Sequence, residues 1–153
     1  MTAAPTRAGD ARRSLWYAVP LGVGIMAGVD EIIFHQLLQW HHFYDGATPA
    51  VGIFTDGLLH AFELIALVSG SFLLVGLARS GMLSMAWARV GFCLGAGGFQ
   101  LFDGIVNHKL LRLHQVRYDV YLLPYDIAWV GSALLLIGLG LWLMQRTRRA
   151  SGR

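Results

Sequence analysis

Four apolar segments, each near the roughly 20 residues that cross a hydrocarbon core, leave this chain few folds to adopt. They run from about Leu15 to Leu38, Gly57 to Ala78, Met85 to Leu111 and Leu122 to Met144. Inside a bilayer the backbone must satisfy its own hydrogen bonds, which leaves helices and closed barrels. The segments are long and lack period-2 alternation, so helices are predicted. Composition agrees: 56% of residues are hydrophobic, 14% are charged, and the mean hydropathy is +0.54. The expected fold is all-α: an integral membrane four-helix bundle over residues 15–145, with basic tails at 1–14 and 146–153.

Within this apolar frame a polar motif occurs twice. Asp30, His35 and His41 recur as Asp103, His108 and His114, a constant 73 residues apart. Six of the thirteen positions from Asp30 to His42 match those from Asp103 to Gln115, and Gly22 and Gly24 match Gly95 and Gly97. The halves read as parallel two-helix repeats, about 15–78 and 84–144. Such copies would be related by a pseudo-twofold along the membrane normal. Gly24-x3-Gly28 and Gly91-x3-Gly95 suit close helix packing.

Charge gives the expected orientation. Nine of the twelve basic residues lie at the termini (Arg7, Arg12, Arg13, Arg146, Arg148, Arg149, Arg153) or about the Arg79–Ser84 turn (Arg79, Arg89). That end is expected to be cytoplasmic, with the histidines towards the other side. The basic clusters flank spans and lack interleaved aromatics, which argues against a nucleic-acid partner. The first apolar stretch is too long for a signal h-region, so no cleaved leader is expected. The single cysteine, Cys93, excludes a thiolate cluster and reads as a packing residue.

Buried polar groups are costly in lipid and so point to function. Asp56, His60 and Glu63 follow i, i+4, i+7 spacing and share a helix face. On α-helical geometry His35 pairs with His42, and Asp30 with His41, unless the helix frays near Trp40. The copies are unequal: His42 becomes Gln115, Glu31 becomes Gly104, and aligning Asp56 with Asp126 sets His60 against Val130 and Glu63 against Ala133. One asymmetric metal centre is therefore expected. Its first ligands are His35, His60, Glu63 and His108, with His42 and His114 next. Asp30, Asp103 and Asp56 serve as ligands or as partners that orient imidazoles. Gln100 and Asn107 are further candidates for such support.

Plainer roles compete. His41 and His42 fit the membrane edge, Asp30 and Asp103 fit ion pairs with Lys109 or Arg112, and Asp45, Asp56, Asp119 and Asp126 fit caps. Aromatic residues near span ends, such as Trp16, Trp40, Tyr121 and Trp142, fit an interfacial belt. Mixed imidazole and carboxylate donors suit zinc, iron, manganese or copper(II), with zinc or iron first. The carboxylates argue against haem.

The segment Gly28 to His42, GVDEIIFHQLLQWHH, resembles the signature of a bacterial membrane-protein family catalogued as domain of unknown function 2243. Asp56–His60 and Phe102–His108 resemble it too, and the likeness extends over nearly all of the chain after the basic N-terminus. The resemblance implies a four-span inner-membrane protein and carries no activity with it. The expected function is a membrane metal-binding protein, with catalysis open and Glu63 or Asp30 as proton acceptor. The alternatives are a metal-delivery or assembly factor for a membrane complex, and a small oligomeric metal- or proton-coupled transporter. The lipid bilayer is the expected partner, with a homodimer or a membrane complex as further options.

Overall fold

A computed structural model describes residues 8–151. Arg7 and Arg153 of the basic clusters, with the remainder of residues 1–7, lie outside the described residues. Helix α1 spans Ala8–Asp30 and continues as a π-helical segment, Glu31–Leu37. Helix α2 spans Pro49–Arg79. Helix α3 spans Met85–Phe102 and continues as a second π-helical segment, Asp103–Leu110, and α4 spans Leu123–Ser151. The described part of the expected N-terminal tail is therefore already helical.

Three helices are long and apolar enough to cross a membrane: Ala8–Leu37, Pro49–Arg79 and Leu123–Ala150. The α3 segment carries Arg89 and the second polar motif, and it lies between α1 and α4. Among the described residues, α1 packs on α2 and α3, and α4 packs on α3 alone, so the helices form a row with α1 and α3 at its centre.

Glycines set the central spacing. A Cβ on Gly22 would come within 2.2 Å of the Phe92 carbonyl oxygen, and one on Gly95 within 2.2 Å of that of Val19. On the flanks Gly24 meets the backbone of Leu67, and Gly97 meets that of Ala133 and Ile137. Small residues let backbones approach where lipid gives no hydrophobic drive between helices. The exposed positions are apolar, as lipid requires: Leu37, Ile65, Phe72 and Leu135 are all at least 70% exposed. The buried set includes Asp30, Glu31, His35, His41, Asp56, Glu63, Asp103, His108 and His114, so polarity lies inside.

The start of α2 differs from expectation. The link predicted from His41 to Asp56 ends early, because Pro49 at the first turn of α2 starts the helix there. Asp56 is thus an interior helix residue and not a cap. The turn after α2 closes as expected, with Gly81 at φ +70° and bonds from Gly81 N to Ala78 O and Met82 N to Leu77 O. This is a Schellman ending, whose left-handed residue favours glycine.

Candidate metal centre

The π-helical turns decide which histidines meet. Leu38 N donates to Ile33 O and Trp40 N to Phe34 O; 73 residues on, Leu111 N donates to Val106 O and Leu113 N to Asn107 O. Gln39 and Arg112, also 73 apart, take φ values of 50° and 53°. These widened turns and left-handed residues re-aim the chain beyond each helix. The α-helical stripes expected from spacing therefore give way to different groupings. His35 packs on His41 with ring centroids 4.5 Å apart, and His108 packs on His114 at 4.6 Å. π-Helical insertions are frequently found at functional sites.

The two sets then interlock. The rings of His41 and His114 stack at 4.6 Å, 4° from parallel. His41 Nδ1 lies 2.9 Å from the Val116 carbonyl oxygen, and His114 Nδ1 lies 2.8 Å from that of Phe43. A carbonyl only accepts, so each Nδ1 carries the proton and each Nε2 keeps its lone pair. His35 reaches the same state, since its Nδ1 donates to Asp56 Oδ1 at 2.9 Å. The Nε2 atoms of His35, His41, His108 and His114 are buried and have no hydrogen-bond partner.

Carboxylates complete the cluster. Asp103 Oδ2 lies 3.0 Å from His108 Nε2, and Asp103 Oδ1 lies 3.6 Å from His114 Nε2. Neither Nε2 is aligned to bond the carboxylate, so these atoms sit side by side, as ligands around a shared point do. In a tetrahedral site with bonds near 2.0 Å, neighbouring ligand atoms are about 3.3 Å apart. Asp30 Oδ2 lies 3.8 Å from His35 Nε2. Asn107 Nδ2 donates to Asp103 Oδ1 at 2.8 Å and holds that carboxylate in place. Three groups have donor atoms close enough for one ion: His35, His41 and His114; Asp103, His108 and His114; and Glu31, His35 and Asp56.

His41 lies in the link after the first span. Burial, then the nearby His114 and His35, lowers its pKa to about 2, so the ring is neutral and able to ligate. Burial and the charge of Asp45 raise the Tyr118 phenol to about 12.

The candidate residues divide as follows. His35, His108, His114, Asp30 and Asp103 come together, and His41, expected at the membrane edge, joins them because the left-handed Gln39 turns it inward. His60 stands apart, with a half-exposed side chain paired to Glu63 Oε1 at 2.7 Å. His42 Nδ1 donates to Asp56 Oδ2 at 2.6 Å, so both support His35 from outside the cluster. Phe43 N also donates to Asp56, which pins the link to α2. Lys109 pairs with Asp126 at 2.7 Å, not with Asp30 or Asp103. Gln100 bonds the Trp129 carbonyl and Ser132 on α4, and so serves packing. Glu31, outside the expected ligand set, joins His35 and Asp56, and Gly104 at its matching position in the second motif is the sequence signal of that difference. Beside the cluster, an apolar cavity of about 690 Å³ opens between α1 and α4, lined by Phe34, Trp40, Trp129 and Leu136 among others.

An all-helical membrane protein whose polar interior contains His/Asp clusters able to hold a metal ion is the class that this fold and site define. The chain belongs to the family described as predicted membrane protein DUF2243, which matches residues 17–147. Comparison with curated proteins and with solved structures finds no match.

Proposed function

We propose that this chain is an integral membrane metalloprotein whose centre is built by His35, His41, His108, His114, Asp30 and Asp103. The carrying observation is an imbalance of charge. Asp30, Glu31, Asp56, Glu63 and Asp103 are all buried, yet among the described residues the one Lys or Arg paired with a carboxylate is Lys109, on Asp126. Buried charges require partners or metals. Imidazoles with free Nε2 lone pairs face two of these carboxylates, which is the donor set of zinc or iron.

The chain's own residues prepare the donors. The Val116 and Phe43 carbonyls fix the tautomers of His41 and His114, Asp56 fixes His35, and Asn107 orients Asp103. A bound ion supplies Lewis acidity there. Asp30, 3.8 Å from His35 Nε2 and the more loosely placed of the two aspartates, would serve as the proton acceptor. Burial of the rings favours a resident ion over one handed to a partner, and among the described residues no matching polar stripe runs towards the opposite end, which disfavours transport.

The halves are copies of one unit about a pseudo-twofold between α1 and α3. The reciprocal His41–Val116 and His114–Phe43 bonds support this, because each partner is displaced by the same 73 residues. In this reading α3 crosses the membrane beside α1, giving four spans with both termini cytoplasmic. The test is elemental analysis of the full chain purified in detergent. At least one tightly held transition metal per chain is expected. Metal below one-tenth per chain after growth in zinc- and iron-replete medium overturns the reading.

A further inference from the structure

The first half carries polar groups that the second half has exchanged for packing. Glu31 Oε2 is buried and without a hydrogen-bond partner, 3.1 Å from His35 Nδ1. That nitrogen spends its proton on Asp56 Oδ1 at 2.9 Å, so Glu31 Oε2 stays unserved. Glu63 Oε2 is likewise buried and unpartnered. It lies 3.2 Å from where a Cβ on Gly28 would stand, one turn before Glu31 on α1. Glu31, His35 and Asp56 offer donor atoms close enough to share one ion.

In the second half this space is closed. Gly104 stands where the first copy has Glu31, and a Cβ there would meet the Trp129 ring at 2.8 Å. Lys109, matched to Gln36, neutralises Asp126, matched to Asp56, and also donates to Gln115. Ala133 replaces Glu63, and Leu101 replaces Gly28. At the position matched to Asp56 the second half thus supplies a lysine as the carboxylate's partner. The first half leaves three buried carboxylates with imidazoles beside them and no Lys or Arg among the described residues.

We infer that Glu31, Asp56 and Glu63, with His35 on their inner edge, form a second cation site for an oxygen-preferring divalent ion. Carboxylate oxygens are the donors that manganese, magnesium and calcium select, whereas the imidazole-rich cluster suits zinc or iron. Both sites lie against His35: its Nε2 faces the central cluster and its Nδ1–H donates to Asp56 at the edge of this one, which does not depend on the centre being loaded. It accounts for the asymmetry between halves that otherwise keep the same contacts.

Manganese(II) is the probe. The full chain in detergent, loaded with zinc, is titrated with manganese(II) while the free aqueous ion is counted by electron paramagnetic resonance. One bound manganese per chain is expected. In E31Q/E63Q its affinity should fall at least tenfold with zinc content unchanged. Glutamine keeps shape and volume, so zinc retention also reports an intact fold. If the double variant loses both metals, single E63Q, which lies off the zinc cluster, decides by the same tenfold criterion. Unchanged manganese affinity in a zinc-retaining variant, or no manganese binding by the zinc-loaded wild type, overturns the inference. A wild type that binds manganese through Glu31 and Glu63 but takes no zinc overturns the central metal reading instead.

Discussion

Replacing His114 with alanine tests the proposed centre most directly. His114 belongs to both imidazole-rich groups able to share an ion, and it is 1% exposed. Its ring stacks on His41, lies 4.6 Å from that of His108, and presents Nε2 to Asp103. Loss of a residue that merely orients a ligand costs about 10–100-fold in metal affinity. Loss of a ligand should cost at least the upper figure, about 2.8 kcal/mol at 1.4 kcal/mol per decade. His60→Ala is the matched control, because that side chain is half exposed and touches Glu63 alone among charged groups. Its effect should stay within about threefold, as for an exposed pair worth under 1 kcal/mol. The assay is competition for zinc with a chromogenic chelator, using detergent-purified chains whose thermal unfolding has been recorded. Wild-type zinc affinity in a folded His114→Ala chain, or an equal loss in His60→Ala, would refute the ligand assignment.

Asn107→Ala, which frees the Asp103 carboxylate, should weaken zinc about 10–100-fold with little change in unfolding temperature, by the same competition. The depressed pKa of His41 carries a pH dependence of definite sign. Its neutral form is favoured in the fold, so its contribution to stability is complete above the ordinary value of 6.5 and is lost as pH falls from there towards about 2. Thermal unfolding in detergent should therefore fall as pH drops from 7.5 to 5, and His41→Gln should flatten that slope. Gly22→Ala should destabilise by at least about 1–3 kcal/mol, since its Cβ meets the Phe92 carbonyl, whereas Gly57→Ala, with nothing within 4 Å, should be neutral or gain slightly. Cysteine introduced at Asp119 in a Cys93→Ala background should react with an impermeant maleimide in intact cells, and cysteine at Gly81 should not; the reverse pattern overturns the proposed orientation.

How much of the site could be read in advance depended on the local backbone. Asp30, His35, Asp103, His108 and His114 were legible because charge and imidazole are costly in an apolar run and these recur at one interval. The structure places His41 among the clustered rings and His60 apart from them. A continuous α-helical rise puts His41 at the membrane edge, while the chain leaves that geometry at Glu31–Leu37 and turns through a left-handed Gln39. Asp56 looked like a cap because the apolar run starts after it, yet Pro49 starts the helix two turns earlier. Gln100 looked like support for the centre and instead bonds α4.

By itself, the chain of residues determined that helices form and that they suit a membrane, because hydropathy and segment length act locally and need no partner. It also determined which polar residues carry a cost that function must explain. Only the tertiary structure decided which of them meet. The π-turns, the glycine contacts between α1 and α3 and the carbonyls of Phe43 and Val116 bring rings 73 residues apart within reach of one another. Convergence of this kind depends on backbone path over several ångströms, and a period read along one helix cannot supply it.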